Sequence, residues 1–203
     1  MEVLVICTGN VCRSPMAVAL LRRHLVERGV SAQVRSAGLV SDGAEASPEV
    51  AQALAARGVE VGGHRSHRLR VEDLAAADVV VGMAREHVRE AVVSLPEVWP
   101  RTFTLKELVR RGGEAGPRSP DQELAVWLAD LHQGRARGDL VGASPADDVE
   151  DPMGGTQAAF DTLADELDQL TGRVAELVFP STREGATPTR NVHLTHRATQ
   201  GEP

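Results

Sequence analysis

The apolar positions of this chain change period several times, and each change marks an element. Val3-Leu4-Val5-Ile6 is an unbroken apolar run of strand length that stops at a polar loop, the pattern of a strand buried on both faces. From Ser14-Pro15 onward the period lengthens. Val18, Leu21 and Leu25 recur at helical spacing, charged residues take the other faces, and Gly29 closes the segment. A serine ahead of a proline at the first helical position predicts Ser14 as the capping residue. Residues 32–36 read as a short strand. Residues 48–57 read as a helix with Val50, Ala53 and Leu54 inward and Gly58 behind it. A second buried strand follows over 78–81, a helix over 85–93, and a last strand over 102–105 that runs into a helix through Leu108.

Gly and Pro crowd residues 112–120 and predict a loop. Leu124, Trp127, Leu128 and Leu131 share one helical face, 134–148 reads as loop again, and a long helix from about residue 156 carries Phe160, Leu163, Leu167, Leu170, Val174 and Leu177. After Phe179 apolar residues almost vanish. The pattern therefore divides the chain into one domain over 1–179, with an extended loop and helix at about 112–146, and a flexible tail over 180–203. Strands alternate with helices and no repeat is visible. That order predicts an α/β fold, a parallel sheet with helices on both faces. Ligands of such sheets sit beyond the carboxyl ends of the strands, which is where Cys7 lies.

Composition narrows the possibilities. Hydrophobic residues make up 42% of 203, enough for one core, but aromatics are 2% and tyrosine is absent, so the core must be built from Val, Leu and Ala. A formal charge of −7 argues against general nucleic-acid binding. No apolar run approaches the roughly 20 residues of a membrane span, and none resembles a signal-peptide core. The two cysteines, Cys7 and Cys12, are spaced too widely for a zinc knuckle, which makes a reducing cytoplasm the expected compartment and leaves no metal site to expect.

The chemistry concentrates in Cys7-Thr8-Gly9-Asn10-Val11-Cys12-Arg13-Ser14, between the first strand and the first helix. A helix start leaves about four amide donors free and carries partial positive charge, which favours an anion. A loop containing Gly9 can curl so that its amides converge on one centre. Arg13 closes the ring with a planar fork suited to two phosphoryl oxygens. The same field favours the thiolate of Cys7, the form that attacks. Each residue alone has an ordinary reading, a small buried cysteine or a solvated arginine. Their coincidence at one strand-to-helix turn is what carries the phosphate reading. Neither of the common glycine-rich nucleotide loops is present.

Cys7, five intervening residues, Arg13, Ser14 and Pro15, close to the amino terminus, resemble the low-molecular-weight protein tyrosine phosphatases. Ser36-Ala37-Gly38, His64-Arg65-Ser66 and Asp151-Pro152 are similar to that family as well, in the same order, so the resemblance runs over roughly residues 1–179. It implies a single-domain, four-stranded parallel sheet with helices on both faces, a flavodoxin-like three-layer sandwich. It also implies hydrolysis through a cysteinyl-phosphate without cofactor or metal, with residues 8–14 binding phosphate and Asn10, Ser14, Ser36 and His64 supporting the loop. By composition Asp147, Asp148, Glu150 and Asp151 all compete for the role of proton donor, and Asp147 and Asp148 fit solvated caps of the following helix. Pro152 stiffens the backbone beside Asp151, but the resemblance is what selects Asp151.

The expected activity is a phosphoprotein phosphatase acting on phosphotyrosine, with phosphorylated proteins as partners. The alternatives are a protein-arginine phosphatase or a phosphate-binding module without catalysis. Arsenate reductases need further resolving cysteines that this chain lacks. Aliphatic Val11 leans towards aryl phosphates, because relatives that resemble arginine phosphatases carry threonine there. Met153-Gly154 stands where phosphotyrosine enzymes of the family often carry aromatics. The long stretch between Leu108 and Asp147 reads as an expanded surface loop, with a helix over the site around Trp127 as the other possibility. Cys12 shares the curled loop with Cys7, and the resemblance implies that it captures an oxidised Cys7 as a redox partner.

Overall fold

The first strand, β1 (Glu2–Cys7), is central because it is apolar on both faces. The computed structural model, which describes residues 1–180, sets it between β2 (Gln33–Gly38) and β3 (Val79–Gly82), with β4 (Thr102–Thr104) beyond β3. The order is β2-β1-β3-β4 and every pairing is parallel. Successive residues of a strand face opposite sides. Accordingly Val3, Val5 and Cys7 enter the larger core, while Leu4 and Ile6 enter a second core across the sheet.

The connections are α1 (Arg13–Glu27), α2 (Pro48–Ala55), α3 (Val71–Ala76), α4 (Arg85–Ser94), α5 (Leu105–Ala115), α6 (Leu124–His132) and α7 (Gln157–Val178). Helices α1, α2, α5, α6 and α7 contribute to the larger core, whereas Leu74 of α3 and Ala91 of α4 cover the other face. The result is the three-layer α/β arrangement expected from the alternation. Its register aligns the carboxyl ends: Cys7 stands opposite Gly38, and Gly82 opposite both Ile6 and Thr104.

Several local expectations need correction. Helix α1 begins at Arg13, and Cys12, not Ser14, holds the capping position without a side-chain cap. The Ser14 hydroxyl is engaged elsewhere, as described below. Residues 112–115, expected as loop, continue α5. A side-chain carbon at Gly112 would lie 3.1 Å from Leu177 Cδ1 and 3.2 Å from the Trp127 ring, so glycine serves the close crossing of α5 with α6 and α7. The loop expected over 134–148 contains a 3₁₀ turn, Arg137–Leu140, that buries Leu140 against Val88, Val92 and Trp99. Helix α3 and the 3₁₀ turn Pro96–Arg101 are too short to show a period in the sequence.

The segment before Asp147 is packed rather than a loose surface loop, and its helix around Trp127 is part of the core. Trp127, Leu128 and Leu131 join the main core, and Trp127 Nε1 donates to the Gly116 carbonyl at 3.1 Å. Arg135 then pins the segment to the sheet. Its guanidinium meets Glu107 Oε1 and Oε2 at 2.7 and 2.9 Å, donates to the Thr102 carbonyl at 2.8 Å, and stacks 3.8 Å from the Trp99 ring centre. Among the described residues no helix is long and apolar enough to cross a membrane. Apart from Pro180, the tail expected over 180–203 lies outside the described residues.

Candidate active site

Cys7 ends β1, and the chain turns through residues 8–12 into α1. The turn depends on Asn10, whose φ of 51° is the left-handed conformation that asparagine tolerates better than most side chains. Three hydrogen bonds hold it there. Asn10 Nδ2 donates to Ser14 Oγ at 2.8 Å, its Oδ1 accepts from the His67 amide at 2.9 Å, and its carbonyl accepts from His64 Nε2 at 2.7 Å. Its own amide is thereby aimed at Cys7 Sγ, 3.2 Å away. Ser14 Oγ lies 3.0 Å from the same sulfur. Because Ser14 already accepts from Asn10, its single proton is free to point at Sγ, and two donors converge on the cysteine. Gly38 permits this fold of the loop: a side-chain carbon there would fall 2.8 Å from Asn10 Cβ and 2.9 Å from Asn10 N.

Arg13, the first residue of α1, is 5% exposed. Its Nη1 donates to the Val149 carbonyl at 3.3 Å, and Nη2 reaches Thr8 Oγ1 at 3.2 Å and Asp151 Oδ2 at 2.5 Å. Arginine thus joins the loop after β1 to the loop before α7. The second loop is anchored independently. Val149 N donates to the Met83 carbonyl at 2.7 Å, at the end of β3, and Asp151 Oδ1 accepts from Met153 N at 3.2 Å.

Asp147 and Asp148 do not behave as solvated caps of the following helix. Asp147 is buried between Arg85 and Arg110, with contacts of 2.6 and 2.9 Å. Burial pushes its carboxyl up, but hydrogen bonds from both arginines outweigh this and hold it below the ordinary value. Asp148 closes the amino end of α4, an earlier helix, by accepting from Arg85 N at 2.8 Å, and it also accepts from Ser144 N at 2.7 Å. Of the four acids competing in the sequence, Asp151 is the one paired with Arg13 among the described residues. Glu150 is exposed beside it.

Most of the sequence-selected residues are brought together. Ser36 is the exception. It sits in β2 opposite Val5 and lines a separate cavity of about 460 Å³ with Arg35, His64 and His67, and no hydrogen bond joins it to the loop among the described residues. Cys7 and Cys12 are both buried and free. The Cys12 thiol is pushed up to about 12, chiefly by burial and then by the neighbouring charges of Asp151 and Cys7.

Three contributors were not foreseen. The His67 backbone amide supports Asn10, and the His67 ring is itself fixed to Asp73 Oδ2 at 2.7 Å; its place next to His64-Arg65-Ser66 was the available signal. The Val149 carbonyl bears on Arg13, which sequence does not reveal. His87, fully buried on α4, contacts Thr8 Oγ1 at 3.0 Å. Beside Arg13 and Asp151 opens a cavity of about 440 Å³ whose walls include Glu86, Arg89, Asp148, Val149 and Glu150 and, among the described residues, no aromatic one. Met153, where an aromatic wall would stand, is 54% exposed. Among the described residues no group of three or more His, Cys, Asp or Glu side chains is arranged to hold a metal ion.

The arrangement sets a thiol, an amide-lined turn, a guanidinium and a carboxylate around one point at the carboxyl edge of the sheet. Comparison with known proteins shows what the chain as a whole is similar to. The family model "Low molecular weight phosphotyrosine protein phosphatase" matches residues 2–117. A protein-arginine-phosphatase of Geobacillus stearothermophilus is 34% identical over 176 residues, covering 86% of this chain and 94% of its own. A C7S mutant of the YwlE arginine phosphatase, with its active-site serine phosphorylated, superposes with a TM-score of 0.68 at 28% identity, covering 90% of this chain and 99% of the other. The low molecular weight protein tyrosine phosphatase of T. tengcongensis superposes with a TM-score of 0.66 at 32% identity, covering 87% and 98%.

Proposed function

The chain belongs to the low molecular weight phosphotyrosine protein phosphatase family, and we propose that it acts on phosphoproteins through a cysteinyl-phosphate, with phosphoarginine as its preferred substrate. In the first step Cys7 Sγ attacks phosphorus while Arg13, Thr8 and the amides of residues 8–14 hold the phosphoryl oxygens. The bond from phosphorus to the guanidine nitrogen breaks, and Asp151 gives that nitrogen its proton. In the second step Asp151, now a carboxylate, takes a proton from water, the water oxygen bonds to phosphorus, and the bond from sulfur to phosphorus breaks to release inorganic phosphate. These steps draw on the chain's own side chains and require no cofactor.

The observation that carries the choice of substrate is the cavity beside Arg13. Its exposed carboxylates Glu86 and Glu150 suit a cationic guanidinium, whose planar donors pair with carboxylates. A phosphotyrosine ring would find no aromatic partner in those walls. The name and coverage of the Geobacillus relative support the same choice. This reverses the preference drawn from the sequence, where aliphatic Val11 pointed to aryl phosphates. Val11 remains the observation in favour of a second reading, a phosphotyrosine phosphatase.

Rates on phosphoarginine and phosphotyrosine peptides of one sequence, measured side by side with Cys7→Ser as control, test the choice. A higher kcat/KM on the phosphoarginine peptide is expected. A clear preference for phosphotyrosine would overturn it and restore the second reading.

A further inference from the structure

His87 occupies the first turn of α4, against the loop that carries Thr8, and is fully buried. Its Nε2 contacts Thr8 Oγ1 at 3.0 Å, and the same oxygen receives Arg13 Nη2 at 3.2 Å. Among the described residues His87 Nδ1 is buried without a partner. A histidine so placed is a costly residue for an ordinary core position, where a leucine would pack without leaving a polar atom unmatched.

We propose that His87 is a positioning residue for the phosphoryl clamp: it holds the Thr8 hydroxyl as the acceptor that aims Arg13, and leaves the Thr8 proton free for a phosphoryl oxygen. Thr8 Oγ1 has one proton and two lone pairs, and the guanidinium, which has no lone pair to offer, must use one of those pairs. If the His87 proton sat on Nδ1, a donor would be buried with nothing to receive it, and Thr8 would have to turn its own proton inward to Nε2. With the proton on Nε2, the ring donates to the second lone pair of Thr8, and the unmatched atom is an acceptor, the more tolerable of the two defects. Thr8 then accepts from both Arg13 and His87, so its O–H must point away from both.

Neutrality is part of the device. Burial and the nearby Arg13 charge hold His87 down to about 3, so the ring carries no charge to compete with Arg13 for a phosphoryl anion. Its nearest carboxylate, Glu86 Oε1 at 3.5 Å, is 52% exposed and does not alter that direction.

This role rests on Arg13 being the phosphoryl clamp, and the test separates the two claims. Inorganic phosphate serves as the probe, by its inhibition constant against an aryl phosphate substrate. His87→Leu fills the space and removes the donor, and should weaken phosphate about five- to tenfold, the size of one lost hydrogen bond to a charged network. His87→Gln, whose amide nitrogen can stand near the position of Nε2, should restore much of the loss. Thr8→Val should weaken phosphate at least as much as His87→Leu, since it also removes the hydroxyl donor, and the double variant should be no worse than Thr8→Val alone, because His87 acts only through Thr8. Nitrogen NMR of the wild type should show His87 neutral and protonated on Nε2 at neutral pH. Phosphate binding unchanged in His87→Leu while Arg13→Met is crippled would overturn the role of His87 alone. Phosphate binding unchanged in Arg13→Met would overturn the clamp itself, and with it the role of His87. If His87→Leu fails to fold, Thr8→Val and the NMR tautomer decide: full phosphate affinity in the first or a proton on Nδ1 in the second contradicts the proposal.

Discussion

Arg13 Nη2 lies 2.5 Å from Asp151 Oδ2 and 3.2 Å from Thr8 Oγ1, so a single nitrogen ties the phosphate-binding turn to the loop that carries the acid. A phosphoryl group bound to Arg13 has to share this guanidinium with a carboxylate. The proposed general acid and the proposed clamp are therefore competitors as well as collaborators.

Asp151→Asn should accordingly bind inorganic phosphate more tightly than the wild type, since the competing charge is gone, and yet turn over more slowly. Loss of a positioned acid costs about 10²–10⁴-fold on leaving groups that need a proton, and less on activated ones such as nitrophenolate. Asp148→Ala should leave the dependence on leaving group unchanged, while unfolding about 1 kcal/mol more easily because α4 loses its cap. Inhibition by phosphate and rates on both substrates check this. Weaker phosphate binding in Asp151→Asn would show that the pair with Arg13 is not a competition.

Gly38→Ala tests the second support of the turn. The added carbon would overlap Asn10, which must then move and withdraw its amide from Cys7 Sγ. Overpacking of this kind costs about 1–3 kcal/mol. The variant should melt at lower temperature and lose at least about tenfold in kcat, the effect expected when a preorganised donor is displaced. A variant with wild-type kcat would mean that the turn tolerates the shift.

Acid should destabilise the fold in two windows. His87 is held near 3 in the folded state, below its ordinary value of 6.5, by burial first and the Arg13 charge second. The unfolded chain therefore takes up a proton between these values that the folded chain refuses, and stability falls as pH drops from about 6.5 towards 3, by up to about 1.4 kcal/mol per pH unit. Asp147, and Asp168 paired with Arg23 and His24, are held below the ordinary carboxyl value despite burial, because their hydrogen bonds prevail. Their contribution is present above that value and is lost below it. Urea denaturation across this range should show His87→Leu flatter than the wild type between about pH 6 and 4. Parallel curves would refute the assignment.

Cys12 is expected to capture an oxidised Cys7, so that peroxide inactivates the enzyme reversibly and a thiol reductant restores it. Burial, with the charges of Asp151 and Cys7, pushes the Cys12 thiol up to about 12, so the attacking thiolate is scarce at neutral pH. Capture should therefore quicken as pH rises. Cys12→Ser should keep basal turnover but recover poorly after peroxide. Equal recovery of both proteins would leave Cys12 as a core residue only.

What was legible in the sequence followed from strong local patterns. The apolar run at Val3–Ile6, the helical spacing through Val18, Leu21 and Leu25, and the turn with Cys7, Arg13 and Ser14 all announced a parallel α/β sheet with an anion site at the end of its first strand. Contacts that join distant segments were not legible. Gly112 read as a loop residue because glycine signals a turn equally well as a close helix crossing, and only Leu177 and Trp127 decide between them. Ser14 looked like a cap because a serine before a proline usually is one, whereas its hydroxyl is held between Asn10 and Cys7. His87 resembled any histidine on an apolar helical face, since nothing local places it beneath Thr8.

If phosphoryl transfer passes through Cys7, the product of the first step is a cysteinyl-phosphate that needs Asp151 for its hydrolysis. Rapid-quench mass spectrometry of Asp151→Ala mixed with nitrophenyl phosphate tests it most directly, because the activated leaving group departs without the acid while hydrolysis lacks its base. A phosphoryl group is expected on the peptide containing Cys7, accumulating before steady state and absent in Cys7→Ala. Continued turnover with no such adduct, or an adduct on another residue, would contradict it.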